Sequence, residues 1–174
     1  MKSALFLDRD GVLTKLVDRG YGFTAPWHRD ELEFLPNIKE AIDIAKTMFD
    51  YVFVISNQPD LETGDMKYSF LYYVDSVLKT TYGIDEINNA HIRGQWDYKP
   101  NPGAVLNLQI RYDLDLSQSC LIGDTWKDCV AATLAKVKYI HVGDKDPIGP
   151  FNYRSKSLLD AVKYMEYKKR FKEN

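Results

Sequence analysis

Two aspartates, Asp8 and Asp10, leave the end of an apolar run in the segment SALFLDRDGVL, residues 3–13. Carboxylates this close repel one another and are costly to desolvate, so the pair implies simple solvation at a strand end, or a cation and a chemical use for both. Further groups are on offer: Ser56 and Asn57 close VISNQ, Lys99 precedes a proline in DYKPNPG, and Asp124 and Asp128 stand in GDTWKDC. Together they suit phosphoryl transfer. Magnesium takes oxygen ligands in near-octahedral geometry, while a lysine, a hydroxyl and backbone N–H groups can cradle phosphate oxygens. An aspartate can attack phosphorus and form an aspartyl phosphate that water later hydrolyses. A second acid on the same loop then has its own task, giving a proton to the leaving oxygen and recovering one from water. In an extended segment residues i and i+2 point the same way, which lets Asp8 and Asp10 face one phosphorus.

The elements that must position these groups follow from the apolar pattern. Residues 4–7 read as a buried strand, and 36–49 as an amphipathic helix entered at Pro36, with Ile38, Ala41, Ile42 and Ala45 on one face. Strands are expected at 51–56, 87–92, 119–122 and 137–142, and helices at about 66–81, 103–112, 126–136 and from about 156. Strands alternating with helices predict an α/β fold, a Rossmann-like three-layer sandwich with a mostly parallel central sheet. Such folds bind ligands at the carboxyl ends of their strands, near the switch point in strand order. The candidate groups all stand just there.

The 174 residues suit a single domain, residues 1–174, and 45% hydrophobic with 28% charged residues is a globular composition. A net charge of −2 and a pI near 5.9 give no general attraction to nucleic acid or to an anionic membrane. Cys120 and Cys129 have no metal-binding spacing and are expected as buried thiols in a reducing compartment. No run has signal-peptide or transmembrane character, so the expected location is cytoplasmic. The basic run KYMEYKKRFKEN, residues 163–174, reads as a solvated helix end. The expected partner is a small phosphorylated substrate, and the expected state a monomer or small homo-oligomer.

The segments FLDRDGVL, SNQ, KPNPG and GDTWKD resemble, in this order, the four motifs of the haloacid dehalogenase (HAD) superfamily, across residues 4–142. With GYG and FLPNIKEAI added, the chain resembles the capless phosphatase branch that includes the heptose-bisphosphate and histidinol-phosphate phosphatases. The resemblance implies Asp8 as nucleophile and Mg2+ ligand, Asp10 as general acid/base with its backbone carbonyl on the metal, and Ser56, with Asn57 beside it, holding the transferring phosphoryl group. It implies Lys99 as the residue that neutralises that group, Asp124 as the main further metal ligand, and Asp128 as a second acid that binds the metal through water or orients Lys99. Arg9 is expected to make an outer or surface contact and no catalytic one.

The chain also departs from the branch. Relatives carry a zinc loop with C-x-H and C-x-C spacing; here the corresponding residues are Asn89, His91, Gln95 and Asp97, so no zinc is expected and His91 reads as a loop histidine. Tyr98 stands where heptose enzymes carry an arginine before the lysine, and Thr63 precedes Gly64 where an arginine is common. A lost arginine is a lost bidentate phosphate contact. The loop KLVDRGYGFTAPWHRDEL, residues 15–32, offers Arg19, His28 and Arg29 as replacements, beside Trp27. About 47 residues lie between Asp8 and Ser56 and about 42 between Ser56 and Lys99, which leaves no room for a separate cap domain. The expected function is Mg2+-dependent hydrolysis of a phosphorylated sugar, heptose-bisphosphate-like, through an aspartyl phosphate. The alternatives are a phosphatase for histidinol phosphate or another small molecule, one acting on a nucleic-acid 3′ end, or a catalytically silent binding module on the same fold.

Overall fold

The run ALFL forms β1 (Ala4–Leu7), every residue of it buried, and such a strand needs cover on both faces and a neighbour on each edge. The computed structural model describes residues 1–172 and supplies all of these. On one edge β1 pairs in parallel with β4 (Tyr51–Asn57), which pairs with β5 (Glu86–Ala90). On the other it pairs with β6 (Cys120–Gly123), followed outward by β7 (Lys138–Val142) and β8 (Tyr153–Ser155). The order β5-β4-β1-β6-β7-β8, parallel throughout, is the α/β sheet the strand–helix alternation implies.

The period-2 alternation of β1 divides the core. Leu5 and Leu7 pack with α1 (Ile38–Lys46), α3 (Tyr68–Thr80) and α6 (Leu158–Lys172), whereas Ala4 and Phe6 pack with α4 (Gly103–Tyr112) and α5 (Trp126–Ala135). Ile38, Ala41, Ile42 and Ala45 are the buried face of α1, as their spacing predicts. The three layers therefore follow from sequence periodicity.

Some elements differ from expectation. The helix expected at 66–81 is preceded by a separate turn of helix, α2 (Asp60–Thr63), which ends where Gly64 takes a left-handed φ of 84°. Residues between β1 and α1 hold an antiparallel hairpin, β2 (Val17–Asp18) with β3 (Phe23–Thr24). The edge strand β8 escapes the apolar pattern because its three residues, YRS, include a single buried side chain. The basic run at the end continues α6; residues 173 and 174 lie outside the described residues. Among the described residues no helix is long and apolar enough to cross a membrane.

Candidate active site

Chain order reverses at β1: the chain proceeds to β4 and β5 on one side, then returns to β6 on the other, so the crevice opens where β1 ends. Asp8 is the first residue beyond β1, and its N–H donates to Ile122 O of β6 at 2.9 Å. Lys99 is brought to it by Asn57 at the end of β4. The Asn57 amide clasps the lysine peptide on both sides, accepting from Lys99 N–H at 2.9 Å and donating to Lys99 O at 2.7 Å. The buried ammonium then spends its three donors on Asp8 Oδ1 at 2.8 Å, Asp128 Oδ1 at 2.6 Å and Ile55 O at 2.9 Å. Burial opposes this charge, but Asp128 and Asp8 outweigh it and hold the lysine pKa above its ordinary value. The other oxygen of Asp128 accepts from Thr125 N–H at 3.1 Å and Thr125 Oγ1 at 2.7 Å, closing a capping box on α5. Asp128 thus starts the helix and aims the lysine.

Asp8, Asp124 and Asp128 each present an oxygen within 4.8 Å of the others, a donor set that suits a hard cation. The fit is sharpest at Asp124. Its Oδ2 lies 3.4 Å from Lys145 Nζ, while its buried Oδ1 has no hydrogen-bond partner. Burial, then the Asp128 charge, pushes the Asp124 carboxyl up to about 6, with Lys145 only partly offsetting it. Burial and then Asp128 likewise push Asp8 well above the carboxylate range, against the pull of Lys99. These carboxylates are short of positive charge, and a divalent cation would supply it. Room is kept by Gly11, at φ +93°, where an added Cβ would fall 2.3 Å from Asp124 Oδ2.

Asp10 lines the same cavity, although the chain past β1 is a turn and not the extended segment the i, i+2 argument assumes. Thr14 Oγ1 donates to its Oδ1 at 2.7 Å, Gln58 Nε2 to its Oδ2 at 2.6 Å, and Arg9 Nε to both oxygens at 3.1 Å. Arg9 is no surface residue: its relative exposure is 0%, and it reaches Gln58 Oε1 at 2.8 Å as well as Asp10. A charge of this kind is tolerated in the interior because it is paired and hydrogen-bonded. Ser56, at 2% exposure, does not line the cavity itself; its hydroxyl accepts from Gln58 Nε2 at 2.6 Å.

The cavity has a volume of about 310 Å³. Leu16, Phe23, Ala25 and Pro59 give it an apolar wall, so the β2–β3 hairpin forms part of the site. The cations expected from that region do not reach it. Arg19 is bound to Glu31 at 2.5 and 2.8 Å and stacks 3.7 Å from the Trp27 ring, Arg29 stacks 3.8 Å from the Tyr73 ring, and His28 lies 3.4 Å from Glu31. They hold the loop together. The cavity's basic side chains, besides Lys99, are Arg93, Lys127 and Lys145; motif spacing did not single them out because Arg93 and Lys145 belong to loops of unremarkable composition and Lys127 stands on the first turn of α5 between the two acids that carry its motif. His91 packs edge-on against Tyr68 and does not line the cavity, Asn89 donates to Asp75 at 2.8 Å, and Tyr98 is buried beside Lys99.

No family model matches the chain. A D-glycero-alpha-D-manno-heptose-1,7-bisphosphate 7-phosphatase of Campylobacter jejuni is 28% identical over 172 residues, 95% of this chain and 96% of that protein. The protein of the same description from Burkholderia mallei is 32% identical over 149 residues, 77% of this chain and 76% of that one. Among solved structures, a D,D-heptose 1,7-bisphosphate phosphatase from B. bronchiseptica complexed with magnesium and phosphate has a TM-score of 0.81 at 24% identity, over 97% of this chain and 99% of that one. This last likeness speaks for the fold.

Proposed function

Since the chain belongs to the family of D-glycero-D-manno-heptose-1,7-bisphosphate 7-phosphatases, in the HAD superfamily, we propose that this phosphatase removes one phosphoryl group from a sugar bisphosphate of the heptose type with magnesium as cofactor. The observation that carries the reading is the aspartate cluster, in which Lys99 is fully committed while Asp124 Oδ1 has no partner. Asp8, Asp124 and the backbone carbonyl of Asp10 would hold magnesium, which supplies charge neutralisation for the phosphoryl oxygens. Asp128, with both oxygens engaged, acts by orienting Lys99.

In this mechanism Asp8 attacks phosphorus through the oxygen not bonded to Lys99, and the sugar oxygen leaves with a proton from Asp10. Asp10 then takes a proton from the water that hydrolyses the aspartyl phosphate, restoring both acids. Ser56 holds a phosphoryl oxygen, while Lys99 positions Asp8 and offsets the phosphoryl charge from its place on that carboxylate. One feature favours a second phosphate on the substrate and another favours a sugar. Arg93 and Lys127 line the cavity and form no ion pair among the described residues. The apolar wall at Phe23 suits the carbon face of a sugar. We read the chain as one domain without a separate cap, the β2–β3 hairpin serving as the wall of an open site. The free, buried Cys120 and Cys129 support a cytoplasmic location.

The test is phosphate release with Mg2+ across sugar monophosphates, sugar bisphosphates, histidinol phosphate and nucleotides, with Asp8→Asn as the blank. Preference for a sugar bisphosphate, with release lost in Asp8→Asn, is the expected result. Release that survives Asp8→Asn overturns the nucleophile assignment, and preference for histidinol phosphate overturns the substrate class.

A further inference from the structure

Gln58 is fully buried and bonded to three groups at once: Arg9, Asp10 and Ser56. Which end of its amide faces which partner is fixed by chemistry. Arginine has no acceptor, so the atom 2.8 Å from Arg9 must be the carbonyl oxygen, Oε1. The amide nitrogen therefore faces the other two partners, and its two N–H groups go one each to Asp10 Oδ2 and Ser56 Oγ, both at 2.6 Å. Two such bonds to one nitrogen place the Ser56 oxygen within about 5 Å of the cavity-lining Asp10 carboxylate. A hydroxyl that accepts from Gln58 cannot also donate to it. Among the described residues the Ser56 hydroxyl donates to no acceptor, so its single proton is left for whatever occupies the site.

We propose that Gln58, oriented by Arg9, is a positioning residue that turns the Ser56 hydroxyl into a hydrogen-bond donor toward the transferring phosphoryl group. Preorganised donors aimed where charge develops need no reorientation during reaction, and losing one such donor typically costs about 10²–10³ in rate. The buried Arg9 acquires a reason in the same stroke. Its permanent charge fixes the flip of the amide and pins Asp10, so a group in the turn past β1 and a group on β4 are aligned through one side chain. The inference rests on the reading that Ser56 faces the phosphoryl group.

The test is a double-mutant cycle on binding, which needs no turnover. The affinity of the Mg2+-loaded protein for orthovanadate, a mimic of phosphorus in transfer, is measured by calorimetry for wild type, Gln58→Met, Ser56→Ala and the double variant. Expected is a loss of about tenfold on Gln58→Met in the Ser56 protein and of less than about twofold in the Ser56→Ala protein. Circular dichroism checks folding; if Gln58→Met does not fold, Gln58→Glu replaces it, and its added charge repels vanadate in both backgrounds and cancels in the cycle. Equal losses in the two backgrounds overturn the proposal, because a merely structural role moves both alike. Failure of the phosphatase reading shows separately, as phosphate release that persists in Asp8→Asn.

Discussion

Lys99 has two functions that its position makes inseparable. It offsets the charge of Asp8 and Asp128, which are otherwise crowded and buried, and it holds a positive charge beside the carboxylate on which a phosphoryl group would form. Removing one partner of a buried, hydrogen-bonded ion pair costs about 3–5 kcal/mol, because the charges left behind have no counterpart. Lys99→Met is therefore expected to lower unfolding free energy by about that much, read from urea titration, and to lower phosphate release by at least about a hundredfold. A variant that kept its stability would mean that Asp8 and Asp128 find another cation. The departures at Tyr98 and Thr63 are also intelligible at this scale. Neither arginine is replaced in place, and the cavity instead receives Arg93 from the loop before Lys99 and Lys127 from the first turn of α5.

The turn after β1 and the start of α5 are built around single atoms of clearance. Gly11 combines a left-handed φ of +93° with a Cβ position 2.3 Å from Asp124 Oδ2, and Gly123 would place a Cβ 2.3 Å from the Asp128 Cβ. Gly11→Ala must therefore displace Asp124, the carboxylate with the unpartnered oxygen, as well as strain the turn. The expected result is a half-saturating Mg2+ concentration raised at least about tenfold, measured by calorimetric titration. An unchanged titration would show that Asp124 does not bind the metal. The hairpin is an element of a different kind. It has four paired residues, and its conformation depends on Arg19 bound to Glu31 and stacked on Trp27, whose indole N–H donates to Asp60 Oδ2 at 2.8 Å.

For the molecule as a whole, the crowded carboxylates set a pH dependence. Asp124 at about 6, and Asp8 above the carboxylate range, keep protons in the metal-free native state that the unfolded chain releases near pH 4. Where the native state binds more protons, stability falls as pH rises, so metal-free protein should lose stability between about pH 4 and pH 6 and above. Magnesium needs the ionised carboxylates and stabilises by mass action, so its effect should be larger at pH 7.5 than at pH 5. Scanning calorimetry in EDTA and in Mg2+ at the two pH values reads this directly. An equal Tm gain at both would place the cation away from these aspartates.

Helices and strands whose signal is local were legible without the structure: ALFL is β1 end to end, residues 103–112 are α4, and the buried face of α1 is the one its periodicity names. The gathering of Asp8, Lys99, Asp124 and Asp128 was legible too, because a parallel sheet brings successive strand ends to one edge. Tertiary structure alone decided which charges are interior. Arg9 reads in the chain as one more charged residue beside two others, and it is buried only because Gln58 reaches it and its neighbour Asp10 across 49 and 48 residues of sequence separation. In the same way Arg19 and Arg29 were taken up by Glu31, Trp27 and Tyr73, leaving the cavity to Arg93, Lys127 and Lys145. Hydropathy and spacing report what a residue prefers on average. A buried ion pair or a spent cation depends on partners that only the fold brings within 3 Å or so.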